Sequence, residues 1–529
     1  MYARVETGVL YGLAAESASV EADLAPGLPG FFIVGLADLA VREAKERIRA
    51  ALGNEGCRFP SRRITVNLAP AGIRKEGTHF DLPIAVSVLA AEGRIPAEAL
   101  SGCAFLGELS LDGRVTRVDG VLPLLIGLQQ KKITRIFLPQ DNLEEGLLLK
   151  DLMLYPVSRL GQVLEHFRGE RSIEPRRASG KSTVKRAGRP VAAAMDFADV
   201  AGQESVKQIV TAAAAASHGL LLVGPPGVGK TMICRRVAGI LPPLTYEEQL
   251  EVTKIYSVAG KLTESQPIIV ERPFRAPHHS LTAAAFAGGG ARPCPGEISL
   301  AHRGVLFLDE LPQFQGKILE LLRTPLEDGA VTISRIGGDV TFPADFMLVA
   351  AMNPCKCGYF GDENHSCTCT EAQLQAYQSR LSGPLLDRID IRVEMSPSAC
   401  LPGAAEQMKE QMAEQGTSRK RRPLTSADMR TQVEEARKIQ RERYRRENIL
   451  YNSELTSGLI KKYCTLSVPG RELLRAAYSH YHLSARAGDK VLRLARTIAD
   501  LSGCRTICEE HLAEALRYRC TEKIYRGRS

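Results

Sequence analysis

Short runs of consecutive apolar residues recur through the middle of the chain, and each run ends in glycine or in polar residues. The runs are Leu220 to Val223, Val305 to Leu308 and Phe346 to Ala351. Such runs, bounded by turn residues, predict strands that are buried on both faces. Helical stretches separate them, so the pattern predicts an α/β unit with a parallel sheet and crossover helices.

The chain on either side of this unit has a different periodicity. Before it, strand-like runs mix with helical patterns, which predicts an α+β or α/β domain over residues 1–170. The strand-like runs are Arg63 to Asn67, Ala104 to Glu108 and Arg135 to Leu138, and the helical patterns are Asp38 to Leu52 and Leu82 to Ala91. From about Thr425 onward the pattern is helical, with segments at Gly470 to Tyr478 and Gly488 to Ser502.

The positive charge of the chain is concentrated in two segments. The 529 residues carry 69 Lys and Arg against 60 Asp and Glu, a net charge of +9. Arg168 to Pro190 has a local charge of +6, and Ser418 to Arg446 has +7. Such segments indicate a polyanion partner, most often nucleic acid; the alternative is a solvated linker and a solvated helix face. We predict a basic linker over 171–195, a core over 196–398, and a basic insert with a helical lid over 399–529.

Composition narrows the class of protein. No apolar run approaches the about 20 residues that a membrane helix needs, and the N-terminus does not resemble a secretory signal. The 13 Cys do not form a disulfide scaffold in a chain of this size, so a Cys cluster indicates a metal site or packed thiols. We therefore expect a cytoplasmic protein.

The loop after the first buried strand has the spacing of a phosphate-binding loop. It fits G-x-x-x-x-G-K-[ST] with the residues Gly224, Pro225, Pro226, Gly227, Val228, Gly229, Lys230 and Thr231. Glycines let backbone N–H groups turn towards phosphates, and the following helix adds a favourable dipole. Lys230 is expected to reach the β- and γ-phosphates of ATP, and the Thr231 hydroxyl to bind Mg²⁺.

Acidic and amide side chains end the next two buried strands. Asp309 and Glu310 follow Leu308, and Asn353 follows the third run. Open α/β sheets bind ligands at the carboxyl ends of their strands. We expect Asp309 to join the Mg²⁺ shell and Glu310 to orient and polarise the attacking water. Asn353 is expected to bond the γ-phosphate or the water, although an Asn before a Pro is also a common turn residue.

Two arginines are candidates for stabilising the charge that develops on the γ-phosphate. Arg388 ends the segment Leu385 to Arg388, and Arg486 follows Ser484-Ala485. An arginine supplied by a neighbouring subunit accelerates phosphoryl transfer strongly. From the residues alone, each is better explained as a surface salt-bridge partner.

Together these motifs resemble the magnesium-chelatase-like AAA+ ATPases over nearly the whole chain. The resemblance is carried by Gly224–Thr231, Phe274–Ser280, Pro295–His302, Val305–Glu310, Met352–Cys355 and Ser382–Arg388. It implies an AAA+ P-loop ATPase core with a helical lid, assembled as a homo-oligomeric ring that we expect to be a hexamer. Arg388 would then act on the neighbour's ATP, and Arg486 would be a nucleotide-binding sensor on the lid.

The resemblance also implies a function. It implies an ATP-driven motor on branched or single-stranded DNA, largely independent of sequence, that promotes branch migration while transforming DNA is integrated. The alternative is a chelatase-type motor subunit that assists metal insertion into a porphyrin. The chain lacks a D-x-S-x-S metal-adhesion motif, but chelatases carry that motif on another subunit.

The first domain resembles the Lon-type peptidase fold, which is similar to the second domain of ribosomal protein S5. The resemblance rests on Gly107 to Val115. The peptidase uses a Ser nucleophile and a Lys base, whereas this chain has His79 and Leu122 at the corresponding positions. We therefore expect an inactive domain; Thr78 is a weak substitute nucleophile because the sequence shows no base beside it.

A Cys-rich insert over 355–369 is a candidate zinc site. Its spacing is C-x-C-x9-C-x-C, formed by Cys355, Cys357, Cys367 and Cys369. Four thiolates can hold Zn²⁺ tetrahedrally, but pairs separated by one residue strain a shared tetrahedron. Zinc and reduced, unliganded thiols both remain open.

Two segments are candidates for DNA contact. Val331 to Phe342 reads as a hairpin around Gly337-Gly338, with Arg335 near its tip. The second segment contains Arg275, His278 and His279, whose histidines are not expected to ligate metal because neighbours in sequence rarely point the same way. Aromatic residues make up only 5% of the chain. DNA contact is therefore expected to be electrostatic, through phosphates.

Overall fold

The computed structural model describes residues 1–178, 195–290, 293–335, 338–362, 365–396 and 424–519. The predicted linker therefore lies mostly outside the described residues, as does the basic insert up to residue 423. Within this range, no helix has the length and apolar character of a membrane-crossing segment.

The N-terminal region is a seven-stranded mixed sheet with helices packed on it. The strands are β1 (Tyr2–Tyr11), β2 (Ala14–Ala25), β3 (Gly30–Val34), β4 (Arg63–Ala69), β5 (Cys103–Phe105), β6 (Glu108–Leu109), β7 (Val115–Thr116), β8 (Arg135–Pro139) and β9 (Met153–Val157). The helices are α1 (Leu39–Asn54), α2 (Asp81–Ala91), α3 (Val121–Gln130), α4 (Leu143–Gly146) and α5 (Leu160–Arg168). The strand order is β3-β4-β2-β1-β5-β8-β9, and β6 pairs with β7 separately.

The start of the predicted linker is bound to this sheet. The Arg176 N–H donates to the Leu154 carbonyl at 2.7 Å, and the Leu154 N–H donates back at 2.8 Å. Ile173 packs against the core of the region. The linker prediction was therefore wrong for residues 173–176, because a backbone bridge to β9 fixes them despite their polar composition.

The central region has a five-stranded parallel sheet, as the apolar runs predict. The described strands of the whole region, including two separate two-stranded pairs, are β10 (Leu220–Val223), β11 (Phe274–Arg275), β12 (Gly288–Gly289), β13 (Cys294–Pro295), β14 (Val305–Leu308), β15 (Ala330–Arg335), β16 (Gly338–Pro343), β17 (Met347–Met352) and β18 (Ile391–Glu394). Its helices are α6 (Glu204–Ala216), α7 (Lys230–Ile240), α8 (Tyr246–Val258), α9 (Ala283–Ala287), α10 (Glu297–Leu300), α11 (Gly316–Glu320), α12 (Arg323–Asp328), α13 (Glu371–Gln378) and α14 (Gly383–Arg388). The order of the main sheet is β11-β14-β17-β10-β18.

Alternate residues of the central strands enter two different cores. Leu220 and Leu222 face the cluster that contains α6 and α7, whereas Leu221 and Val223 face the cluster around α11. Both faces of the sheet are therefore covered, which explains why its strands are apolar throughout. The carboxyl ends of β10, β14 and β17 consequently meet at one edge.

The C-terminal region is helical and packs on the central region. It contains α15 (Ser426–Arg443), α16 (Ser457–Tyr463), α17 (Val468–Tyr481), α18 (Ala485–Leu501) and α19 (Glu509–Arg519). A buried network joins it to the sheet: His218 Nδ1 lies 3.0 Å from Asp390 Oδ2, and Lys490 Nζ lies 2.7 Å from Asp390 Oδ1. Burial alone would raise the pKa of Asp390, but Lys490 and His218 hold it below its usual range.

The N-terminal region is fastened to α8. The Gly120 N–H donates to the Ser257 carbonyl at 3.1 Å, and the Ser257 hydroxyl donates to the buried Glu145 carboxylate. Burial raises the pKa of Glu145. Tyr246 of α8 also donates to the Leu148 carbonyl. These contacts fix the N-terminal sheet relative to the central one.

Candidate nucleotide site and neighbouring sites

The loop over 224–231 connects β10 to α7 with a backbone that needs glycine. Gly227 and Gly229 have φ angles of 85° and 87°, which residues with a Cβ rarely adopt. A Cβ on Gly224 would lie 2.5 Å from the Met395 carbonyl oxygen. The loop therefore keeps its backbone exposed at the carboxyl edge of the sheet, with α7 starting at Lys230.

Lys230 lies at the centre of the loop and touches the end of β17. Its Nζ donates to the Gly224 carbonyl at 2.6 Å, to the Pro225 carbonyl at 2.8 Å and to Asn353 Oδ1 at 3.0 Å. Burial lowers the pKa of Lys230, while Asp309 and Glu310 favour its charged form. The ammonium is thus held by neutral oxygens that a phosphate can replace.

Thr231 and Asp309 meet beside this lysine. The Thr231 hydroxyl donates to Asp309 Oδ2 at 2.9 Å. One hydroxyl and one carboxylate are the hard oxygen ligands that Mg²⁺ takes from proteins, with water and phosphate completing its shell. The donor set therefore fits Mg²⁺.

Glu310 is exposed and has an unusual backbone conformation. Its φ and ψ are both 50°, and its N–H donates to Asp309 Oδ1 at 3.0 Å. A non-glycine residue in the left-handed region costs free energy, and such residues cluster at functional sites.

Arg388 and Arg486 line one large cavity. Both line a cavity of about 1550 Å³ between the central sheet, the β15–β16 hairpin and α18. Among the described lining residues, none belongs to the loop 224–231 or to the Asp309-Glu310 pair. Both arginines therefore line a cavity that the described residues of the loop 224–231 do not line.

Arg275 is an ion-pair partner in this structure. Its guanidinium donates to both carboxylate oxygens of Glu297, at 2.7 and 2.6 Å. This pairing neutralises its charge, which weakens the prediction that it contacts DNA. His278 and His279 follow, and their rings are 4.1 Å apart. The His278 ring also bonds the Ser280 hydroxyl at 2.8 Å.

The predicted hairpin is present and extends one residue further at each end. β15 and β16 pair antiparallel from Ala330↔Pro343 to Arg335↔Gly338. Arg335 is thus the last residue of β15 before the turn, whose residues 336 and 337 lie outside the described part of the chain. From the N-terminal sheet, the Tyr11 hydroxyl donates to the Asp339 carbonyl at 3.3 Å.

The four predicted cysteines form one cluster. The sulfur atoms of Cys355, Cys357, Cys367 and Cys369 all lie within 4.8 Å of one another. The N–H groups of Gly358 and Phe360 donate to the Cys355 sulfur at 3.2 and 3.3 Å. Such N–H···S bonds support thiolate ligands in metal sites. The one-residue spacing within each pair therefore does not prevent the four sulfurs from converging.

Sequence reasoning missed how this cluster touches the nucleotide loop. A Cβ on Gly358 would lie 2.7 Å from Pro226 Cδ, so the two loops are packed together. The Tyr377 hydroxyl donates to the Asn353 carbonyl at 3.1 Å. The glycine after Cys357 was the available signal, but its partner is 132 positions away in the chain.

The positions of the absent peptidase dyad are buried. His79 Nε2 lies 3.0 Å from the Gly8 carbonyl, and the Leu122 N–H donates to Glu145 Oε1 at 3.0 Å. The expectation that no base lies beside Thr78 was wrong: its hydroxyl donates to Glu108 Oε2 at 2.6 Å. Glu108 is 30 residues further along the chain, so local sequence could not reveal this contact.

Comparisons with known proteins cover nearly the whole chain. Three family descriptions match: "Magnesium chelatase, subunit ChlI" over residues 196–400, "Subunit ChlI of Mg-chelatase" over 20–142, and "Magnesium chelatase, subunit ChlI C-terminal" over 423–519. Competence protein ComM of Haemophilus influenzae is 40% identical over 99% of this chain and 98% of its own length. YifB of Escherichia coli is 39% identical over 98% and 97%. The magnesium-chelatase 38 kDa subunit of Cereibacter sphaeroides is 27% identical over 30% of this chain and 52% of its own.

Proposed function

Because the chain belongs to the magnesium-chelatase-like AAA+ ATPase family that includes ComM and YifB, we propose that it is an ATP-hydrolysing ring motor acting on DNA. The observation that carries this proposal is the meeting of Lys230, Thr231, Asp309 and Asn353 at one edge of the sheet. A competence role is proposed from the name of the relative that matches end to end.

We propose that the loop 224–231 binds the phosphates of ATP. Lys230 would exchange its bonds to the loop carbonyls for bonds to phosphate oxygens. The negative phosphate would then favour the charged ammonium, which burial disfavours in this structure. Thr231 and Asp309 would hold Mg²⁺, which supplies positive charge next to the phosphates when it is bound. Glu310 would orient and polarise the attacking water, and Asn353 would hold the water or the γ-phosphate.

The arrangement of Arg388 and Arg486 supports a ring. Both face a cavity that the chain's own phosphate loop does not line. We propose that each acts on ATP bound to a neighbouring copy, and that the ring is a hexamer.

We propose that DNA runs against the β15–β16 hairpin and the basic segments. Arg335 ends β15 at the turn, and α15 carries basic residues along its length. Arg275 is the weaker candidate because Glu297 already neutralises it. The proposed reaction is branch migration of DNA during integration of transforming DNA, in the cytoplasm.

Two parts of the chain have proposed structural roles. The N-terminal domain is proposed to be a Lon-type fold without its catalytic dyad, since His79 and Leu122 are buried at those positions. The cluster Cys355, Cys357, Cys367 and Cys369 is proposed to bind one Zn²⁺, which would staple the insert that packs on Pro226.

The test is ATP hydrolysis with and without single-stranded, duplex and four-way-junction DNA, together with a branch-migration readout. We expect stimulation by at least one DNA, and loss of all turnover in Lys230→Ala. Hydrolysis that no DNA stimulates would favour the alternative, a chelatase-type motor subunit. That alternative is supported by the three family descriptions, but the 38 kDa chelatase subunit matches only 30% of this chain.

A further inference from the structure

Arg388 is held by a glutamate of its own chain. Its Nη2 lies 2.5 Å from Glu327 Oε1, and its Nη1 donates to the Pro384 carbonyl at 2.9 Å. The Arg388 side chain is 15% exposed and that of Glu327 is 56% exposed. The charge that is proposed to reach a neighbour's ATP is therefore already paired within its own chain.

Glu327 is connected directly to the hairpin. It is the last but one residue of α12, which ends at Gly329 with a φ of 65°, and β15 begins at Ala330. The other end of the hairpin returns to the same place, where the Ala344 N–H donates to the Gly329 carbonyl at 2.7 Å. Both ends of the hairpin are thus attached to the end of the helix that carries Glu327.

The end of α12 needs a cation. Glu327 and Asp328 are two carboxylates in its last turn, where exposed backbone carbonyls already make the potential negative. Arg388 supplies the positive charge to this turn. Departure of Arg388 would leave the turn with two acids and no compensation from this pair, and the base of the hairpin would loosen with it.

We propose that Glu327 is a positioning residue that holds Arg388 within its own chain, away from the neighbour's nucleotide. Release of Arg388 from Glu327 would be linked to movement of the β15–β16 hairpin. The polyphosphate of a nucleotide on the neighbouring copy competes with Glu327 for the same guanidinium, because phosphate and carboxylate both match its fork of donors. When the phosphate takes Arg388, Glu327 and the hairpin base are freed. This inference rests on the proposed ring motor.

A tryptophan reporter tests the link without DNA. The chain contains no Trp, so Thr341→Trp on the exposed face of β16 gives a single emission source. Glu327→Gln is compared with Asp328→Asn, which removes the same charge from the same helix turn and leaves Arg388 on Glu327. We expect Glu327→Gln without nucleotide to reproduce most of the change in emission that ATP causes in the parent, and Asp328→Asn to reproduce none.

Kinetics give the second readout. Because the Glu327 carboxylate is exposed, its ion pair with Arg388 is expected to shift the equilibrium by about fivefold at most, so Glu327→Gln should raise DNA-free kcat by up to about fivefold. The KM for ATP should fall by up to the same factor, because the phosphate no longer competes with Glu327. The ratio of DNA-stimulated to basal turnover should fall by that factor as well. Asp328→Asn should keep the parental ratio.

The outcomes separate this inference from the proposed function. The inference is overturned if Glu327→Gln has the emission of the parent, whatever the DNA assays give. It is also overturned if Glu327→Gln and Asp328→Asn show the same emission response to nucleotide. Failure of the proposed function appears elsewhere, as a parent protein whose turnover no DNA stimulates. In that case the reporter still decides whether Glu327 positions the hairpin.

Discussion

Lys230 Nζ lies 3.0 Å from Asn353 Oδ1, so the first residue of α7 and the residue after β17 are in contact. The two are 123 positions apart in sequence, and they meet because β10 and β17 are parallel neighbours. If Lys230 exchanges its bonds to the loop for phosphate, as proposed, its contact with the Asn353 amide would change with it. Its own backbone carbonyl is fixed by Tyr377 at 3.1 Å.

Replacing Asn353 should slow the chemical step of ATP hydrolysis and leave ATP binding nearly unchanged. We expect Asn353→Ala to lower kcat by about a hundredfold, as does loss of one preorganised donor at other reaction centres. The KM for ATP should change little, because the loop amides and Lys230 remain. Steady-state kinetics measure both, and Tyr377→Phe provides a control that keeps the amide. A large rise in KM with normal kcat would contradict this role.

Glu310→Gln should bind ATP and assemble but not turn over. The substitution keeps the size of the side chain and removes its ability to accept a proton, so kcat should fall by at least about a hundredfold. Nucleotide affinity by equilibrium binding and ring size by light scattering should match the parent. Retained hydrolysis would show that another residue activates the water.

The apolar runs of the sequence predict the central sheet closely, whereas contacts between distant segments needed the structure. Leu220–Val223 and Val305–Leu308 are strands with the predicted bounds, and α2 ends at Ala91 as its pattern indicates. A strand that is buried on both faces is apolar at successive positions, so these segments stand out in the sequence. β1 and β2 were missed, since several of their buried positions are small or polar residues, such as Thr7, Gly8, Ala18 and Ser19.

The partners of charged residues could not be read from the chain. Arg275 pairs with Glu297 and Arg388 with Glu327, 22 and 61 positions away. Any of the 60 acidic residues could have satisfied either arginine. The position of Arg486 likewise depends on how α18 packs through Lys490 and Asp390, which no local pattern specifies.

Acid should weaken a defined ion-pair cluster at the amino end of β14. Hydrogen bonding from His302, with Arg303 beside it, lowers the pKa of Glu251 from 4.5 to about 2 despite partial burial. A depressed carboxyl pKa contributes stability above the ordinary value, and this stability is lost as pH falls through the folded value. The midpoint of thermal unfolding of Glu251→Gln should therefore be lower than that of the parent at neutral pH. This difference should shrink between pH 4.5 and about 2. A constant difference across that window would contradict this.

The cysteine cluster should hold zinc. Protein purified without chelators is expected to contain about one zinc per chain, and Cys367→Ser should lose most of it. Cys504→Ser, which changes a half-buried cysteine outside the cluster, should keep the parental content. Elemental analysis measures this; less than about half an equivalent in the parent would favour unliganded thiols.

Arg335→Ala should weaken DNA binding to the same extent on every sequence. A phosphate contact carries no base information, and losing one reduces the slope of log affinity against log salt by about one. Binding titrations at several salt concentrations, on two unrelated duplexes and one single strand, measure both effects. Ser334→Ala alters the neighbouring hairpin residue without changing charge, so its slope should equal that of the parent. A changed sequence preference with an unchanged slope would show that Arg335 does not contact phosphate, and the hairpin would then need another residue to meet DNA.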